Sequence, residues 1–287
     1  MSTKSFSRAL PVLLPALRRR AYQTSSKVLK PTGADTVKPV RPVDLPPQLL
    51  GRPQHLSNTS PSWVARGDEE FSTQSLLSLF RNEISNLKVD NFLSPEECAR
   101  LAAIVETHQI AFYGESVQPP IGCIGITQFD HAKSKSDYFD GVIRAQELQQ
   151  RFIAETGIDV AARVRAAIQQ VAPPGVTVRT ALEEEKPYFF GLLRMINRSA
   201  LIHADYGAFD GPGWEIGRIT AQLTWNLLLK EVRGGESVVY RRPWRGPEDD
   251  AAFKVPGSYG YDPKVVQGAE FAVLPPKVGQ LSLFNPR

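Results

Sequence analysis

Ile219-Thr220-Ala221-Gln222-Leu223-Thr224-Trp225-Asn226-Leu227-Leu228-Leu229 alternates apolar and polar side chains almost to its end. Successive side chains of a strand point to opposite faces. Ile219, Ala221, Leu223, Trp225, Leu227 and Leu229 therefore form one face, and Thr220, Gln222, Thr224 and Asn226 the other. Such a strand buries one face in a core and turns the other to a polar interior or to solvent. Downstream, Gly234-Gly235 turns the chain and Glu236–Tyr240 returns as a strand. An excursion rich in Pro, Gly and charge follows from Arg241 to Pro263, then short strands at Val265-Val266, Glu270–Leu274 and Gln280–Phe284. Upstream, Tyr188–Ile196 is an apolar strand candidate and Leu201–Asp205 closes the next. The loop Asp210–Gly217 between them and the quoted stretch could cover a site. Its glycines imitate a dinucleotide fingerprint, but the spacing is wrong and Pro212 intervenes.

The first half has the helical period. Ser94-Pro95-Glu96-Glu97 supplies an N-cap, a proline for the first turn and a capping-box glutamate. Cys98, Leu101, Ala102 and Val105 then recur on one face. Tyr138 to Val171 continues the pattern, with Asp159 as a cap and Val160, Val164, Ile168 and Val171 on a shared face, until Pro173-Pro174-Gly175. Helices followed by many short strands predict a mainly β fold with supporting helices (α+β), a jelly roll of two facing sheets.

Within this frame His203 and Asp205 stand two residues apart. On an extended segment that spacing puts both side chains on one side, about 6.6 Å apart at Cα, with room for a metal at about 2.0–2.2 Å from each. They make two-thirds of a 2-His-1-carboxylate iron site. Spacing alone is a weak signal, since most such triplets are ordinary turn residues. The remaining histidines are His55 in a Pro-rich arm, His108 near a helix end and His131 in a polar, solvated loop.

Composition bounds the rest. The 287 residues are 42% hydrophobic and 22% charged, ordinary for a globular chain. No apolar run approaches the roughly 18 residues of a membrane span. Two cysteines, Cys98 and Cys123, exclude a disulfide framework and a Cys-rich zinc site. Residues 1–34 hold no acid, while Lys4, Arg8, Arg18, Arg19 and Arg20 alternate with leucines, the signature of an organellar transit peptide. We expect residues 1–26 to direct the chain to the mitochondrial matrix; the alternative is a disordered basic tail. Its removal takes the net charge from +4 to −1, which argues against a nucleic-acid partner. Residues 27–65, with seven prolines, form a linker or extended arm, and residues 66–287 the globular domain.

The chain from about residue 84 resembles the Fe(II)/2-oxoglutarate-dependent oxygenases. The motifs are Val89-Asp90-Asn91-Phe92-Leu93-Ser94-Pro95-Glu96-Glu97-Cys98, Leu193-Arg194, His203-x-Asp205, Gln222-Leu223-Thr224, Gly234–Tyr240, Trp244 and Gly279-x-Leu281-x-Leu283-Phe284-Asn285. Their order is similar to that of the prolyl-hydroxylase-like branch, and most of all to freestanding aliphatic halogenases and related amino-acid hydroxylases. The resemblance implies a double-stranded β-helix, with Fe(II), 2-oxoglutarate and O₂ used to oxidise an unactivated C–H bond of a small molecule or amino acid. The halogenases have Gly or Ala at the carboxylate position; with Asp205 here, the resemblance implies hydroxylation or another oxidation. Thr224 and Asn226 are placed to hydrogen-bond 2-oxoglutarate, or are structural interior polar residues. Arg194 faces the substrate or cosubstrate, or forms a structural ion pair.

The resemblance also implies a second histidine and a basic residue just beyond the strand 279–284, where this sequence reads Asn285-Pro286-Arg287. The expectation is a site lacking its third ligand and a barrel lacking its last strand, hence weak iron binding and little turnover. The rival is a non-catalytic, degenerate jelly-roll binding module. A cupin-like metal isomerase is disfavoured, because its pocket would call for more than the four histidines present.

Overall fold

Reciprocal caps set the helical layer. In the computed structural model, which describes Trp63 and residues 69–287 apart from 114–116, 132 and 197, α1 (Thr73–Phe80) starts where Ser72 and Ser75 bond each other's backbone. The expected transit segment, and all of the Pro-rich arm but Trp63, lie outside the described residues. Helix α2 (Pro95–Glu106) opens as its sequence demands: Ser94 Oγ accepts the Glu97 amide and Glu97 accepts the Ser94 amide. Three helices follow, α3 (Lys135–Ala145), α4 (Glu147–Thr156) and α5 (Val160–Val171), the last capped by Asp159.

The strands are shorter than their patterns. The first strand, β1, covers only Asn86–Val89, because Asn91 turns left-handed at φ 52 and ends the extended run. After β2 (Ala111–Phe112), β3 (Ile121–Ile124) and β4 (Leu182–Glu183), the Tyr188–Ile196 run survives only as β6 (Leu193–Ile196), preceded by β5 (Lys186–Pro187). Gly191 at φ 89 breaks it. The loop after Asp205 contains a single helical turn, α6 (Gly207–Asp210), and a 3-10 turn, Glu215–Arg218. The eleven-residue alternation is a ladder only at β7 (Thr224–Leu227). Its partner strand runs out at Phe284, and Pro286 has no N–H to extend the pairing. Then come β8 (Ser237–Tyr240), α7 (Pro247–Phe253), β9 (Phe271–Leu274) and β10 (Leu281–Phe284). Val265-Val266, expected as a strand, ends a 3-10 turn from Pro263, because Asp262 caps the Lys264 amide.

The described residues form four sheets, all antiparallel, in the orders β1-β10-β7, β2-β3-β6, β4-β5 and β8-β9. More of the described residues are helical than extended, so the expected mainly β balance is corrected to a mixed one: residues 73–171 spend most of their length on five helices.

Register explains the layers. Leu87 pairs with Leu283, Val89 with Leu281 and Trp225 with Leu283, so one face of the first sheet is apolar. It packs on Leu76, Leu79, Val164 and Val171 of α1 and α5. In the second sheet Ile124 and Leu193 face Leu101, Ile104, Leu148 and Phe152 of α2 and α4. Phe92 and Val160 pack against both clusters, so one helical layer backs both sheets. Each fully buried leucine here contributes roughly 1.5–3 kcal/mol of burial. On the opposite face of the first sheet, Phe284 packs against Val239, Ala272 and Leu274 of β8 and β9.

Arg163 on α5 pins this layer to the α2 cap, donating to both carboxylate oxygens of Glu97 at 2.8 and 2.9 Å. Those bonds, with the Ser94 amide, lower the Glu97 pKa to about 2. A folded value below the unfolded one stabilises fully above about pH 4.5 and is lost as the pH falls towards 2. Thermal melts across that window should lose about 1 kcal/mol more in the unmutated chain than in Glu97→Gln, a figure reduced for solvent screening of the half-exposed pair. Parallel pH profiles of the two proteins would remove Glu97 from this role.

Candidate functional site

Leu201–Asp205, expected to close a strand, join no ladder. Single bonds to distant segments hold them instead. The Leu201 amide donates to the Tyr259 hydroxyl at 2.7 Å, Tyr261 N–H to the Ile202 carbonyl at 2.8 Å, and Asp205 N–H to the Pro286 carbonyl at 3.1 Å. A Cβ on Gly260 would lie 2.6 Å from Leu201 Cβ, so only glycine allows this approach. Two residues past the pair, Gly207 N–H donates to the Gln222 side-chain oxygen at 2.7 Å, tying the start of the alternating stretch to the site.

The pair is aimed. His203 Nδ1 lies 2.6 Å from the Leu201 carbonyl. A carbonyl only accepts, so Nδ1 carries the proton and Nε2 keeps its lone pair. Nε2 stands 3.7 Å from Asp205 Oδ2, and the two side chains retain 30% and 45% of their exposure. That separation is too long for a hydrogen bond. It is close to the roughly 3.0–3.5 Å between two donors that share one cation at about 2.0–2.2 Å. The ring of Tyr259 meets the imidazole edge-to-face, with centroids 5.6 Å apart.

Arg194 approaches from β6. Paired with Cys123, it lies on the sheet face opposite the helical layer, and its Nε donates to the Tyr113 hydroxyl at 3.3 Å. Its guanidinium lies 5.9 Å from that ring, which in turn stacks on Phe129. Arg194 and Asp210 keep exposed surface, and Tyr113, Cys123 and Tyr259 are half-buried. Even so, lost hydration is the largest influence on the titration of all five. Burial raises the pKa of Tyr113, Cys123, Tyr259 and Asp210. Burial works against the Arg194 charge too, but Tyr113, Asp205 and Cys123 more than offset it, and the cation is held. The charge of Asp205 also acts on Tyr259 and Asp210. One field therefore joins His203's neighbours.

Thr224 and Asn226 share the face of β7 turned away from the helical layer, opposite Phe284 and Ser282. Thr224 lies nearer the pair, through Phe284 and then Pro286. Hollows of about 340 and 390 Å³ elsewhere are lined by none of these residues. His108 follows the α2 cap, its amide on the Val105 carbonyl. His131, expected as a solvated loop residue, is half-buried: Nδ1 lies 3.0 Å from the Thr127 carbonyl and the ring 6.1 Å from that of Tyr138. His55 lies outside the described residues. Among the described residues, no three or more His, Cys, Asp or Glu side chains are grouped to hold a metal. Sequence spacing missed Tyr113 and Tyr259, which carry no motif and reach the site only through the fold.

No protein-family model matches the chain. Over 119 residues, 39% of its length, it is 30% identical to L-gamma-glutamyl-L-propargylglycine hydroxylase of Streptantibioticus cattleyicolor, covering 41% of that protein. Over 177 residues, 61% of its length, it is 62% identical to leucinostatins biosynthesis cluster protein S of Purpureocillium lilacinum, covering 73% of it. Identity that high over nearly three-quarters of a relative places this chain in the family of leucinostatins biosynthesis cluster protein S.

Proposed function

We propose that the chain is an Fe(II)/2-oxoglutarate-dependent hydroxylase of a small, amino-acid-derived molecule, built on a double-stranded β-helix. The observation that carries this is the His203 Nε2 and Asp205 Oδ2 pair, 3.7 Å apart and open to solvent. Similarity to a hydroxylase named for a glutamyl dipeptide substrate supports both the reaction and the substrate class. The pair fits two adjacent positions around a divalent ion. A third protein donor is not present among the described residues, so metal binding is expected to be weak.

Ferrous iron with 2-oxoglutarate and O₂ supplies, when bound, the oxidant for an unactivated C–H bond. The chain's own residues do the rest. Leu201's carbonyl holds the His203 proton at Nδ1 and so presents Nε2. Asp205 would supply the second donor, and a carboxylate in that role favours hydroxylation over halogenation. Arg194, with two guanidinium nitrogens beyond its bond to Tyr113, receives a carboxylate of the cosubstrate or substrate. Thr224, half-buried, and Asn226, exposed, offer further hydrogen bonds from one face of β7. A second reading, a binding module that keeps the fold without the chemistry, is favoured by the two-donor set.

Anaerobic titration with Fe(II) and 2-oxoglutarate separates the two. We expect a weak visible charge-transfer band that grows only at iron well above protein concentration. Admitting O₂ should then release succinate with no chlorinated product. A chain that develops no band at any iron concentration is the binding module. Chlorination by the unmutated chain would refute hydroxylation.

A further inference from the structure

We propose that Tyr259 is a positioning residue for His203, fixing the imidazole's tautomer and its aim through the backbone of Leu201. The inference rests on the pair His203–Asp205 being the functional centre. Three contacts close a circuit. The Tyr259 oxygen accepts the Leu201 N–H at 2.7 Å, the Leu201 carbonyl accepts the His203 Nδ1 proton at 2.6 Å, and the Tyr259 ring packs on the imidazole at 70° between planes. One side chain thus meets the ring directly and, through the backbone of one residue, holds the acceptor of its proton. Leu201 carries both bonds, one on each of the two peptides that flank its Cα, so fixing its N–H restrains where its carbonyl points.

The segment carrying Tyr259 is itself braced. Lys254 Nζ donates to the Tyr259 carbonyl at 2.8 Å, Val255 N–H to the Gly260 carbonyl at 3.0 Å, and Asp262 N–H to the Phe253 carbonyl at 2.8 Å. Next to it the Tyr261 hydroxyl bonds Asp250. Tyr261 itself is buried with Trp244, Val265 and Val266, against which Ile202 and Ala204 pack. The charged excursion 241–263 is therefore the wall behind the His203 segment.

The test uses the whole chain without metal first. Ring-nitrogen NMR of His203 should report the Nδ1–H tautomer in the unmutated protein. Tyr259→Phe keeps the ring and removes the oxygen; the two nitrogen shifts should move towards each other as the tautomers mix. Co(II) titration should then show about tenfold weaker binding, the scale of a lost outer-shell partner. Tyr261→Phe, which removes a neighbouring phenol, should leave both readouts unchanged. Should Tyr259→Phe fail to fold, the unmutated protein still decides. It should show slow Leu201 amide exchange and a nuclear Overhauser contact between the Tyr259 ring and the imidazole. Unaltered nitrogen shifts and Co(II) affinity in Tyr259→Phe would overturn the proposal, as would absence of that contact. If the unmutated chain binds no Co(II) while the shifts still respond, the metal reading fails and the positioning role stands.

Discussion

Replacing Asp249 by Ala should lower folding stability by about 3–5 kcal/mol, the cost of stranding one member of a buried ion pair. Asp249 keeps 3% of its side-chain exposure and Arg242 19%. The carboxylate takes both terminal nitrogens of Arg242, Nη2 at 2.6 Å, and the Arg245 amide at 2.7 Å. Arg242 holds the Asp249 pKa below its ordinary value despite burial. The contribution is therefore complete above the ordinary carboxylate value and lost as the pH falls through the folded one. Without the carboxylate, a guanidinium and an amide are left unpaired where α7 joins the excursion behind His203. Denaturant unfolding should show an earlier midpoint for Asp249→Ala, and a smaller shift for Asp249→Asn, which keeps an acceptor. Arg242→Met combined with Asp249→Leu should recover most of the loss, because an apolar pair needs no solvation. A single-variant loss below about 1 kcal/mol would show that water reaches the pair.

The second large effect is chemical. His203→Ala and Asp205→Ala should each weaken divalent-metal binding by more than about 100-fold, beyond the 10–100-fold that outer-shell changes cost. Each removes one of two donors, and no neighbouring His, Cys, Asp or Glu among the described residues completes a set. Stability should change little, since both side chains are substantially exposed. Circular dichroism and melting would establish the intact fold, and competitive titration with Co(II) the loss of affinity. Unchanged affinity in both variants would move the metal site elsewhere.

How much of this was legible depends on the range over which each residue acts. The α2 start needed only Ser94, Pro95 and Glu97, neighbours in sequence, and the structure repeats it bond for bond. The Asp159 cap is equally local. The i, i+2 spacing of His203 and Asp205 brought the side chains together as expected, but without the strand assumed to do it. Strand length was poorly legible. Alternation says which face is apolar, whereas a ladder extends only as far as its partner, and β10 stops pairing β7 at Thr224. Val265-Val266 misled for a related reason: two β-branched residues favour extension, yet Asp262-Pro263 begins a helical turn first. Tyr259 gave no sign at all, lying in a polar excursion 58 residues from the peptide it contacts.

That distance has a kinetic consequence. The helical caps and β-hairpins close short loops, which form early because little chain entropy is surrendered. The His203 segment has no such neighbours. Its bonds reach across 58 residues to Tyr259 and further still to Pro286. They can form only after the excursion and the final strand have docked. The site is thus a late product of folding, and a collapsed intermediate with every helix in place would still carry none of its chemistry. Occupancy of the site by any ligand would accordingly report completion of the whole fold, and would draw the folding equilibrium forward by mass action.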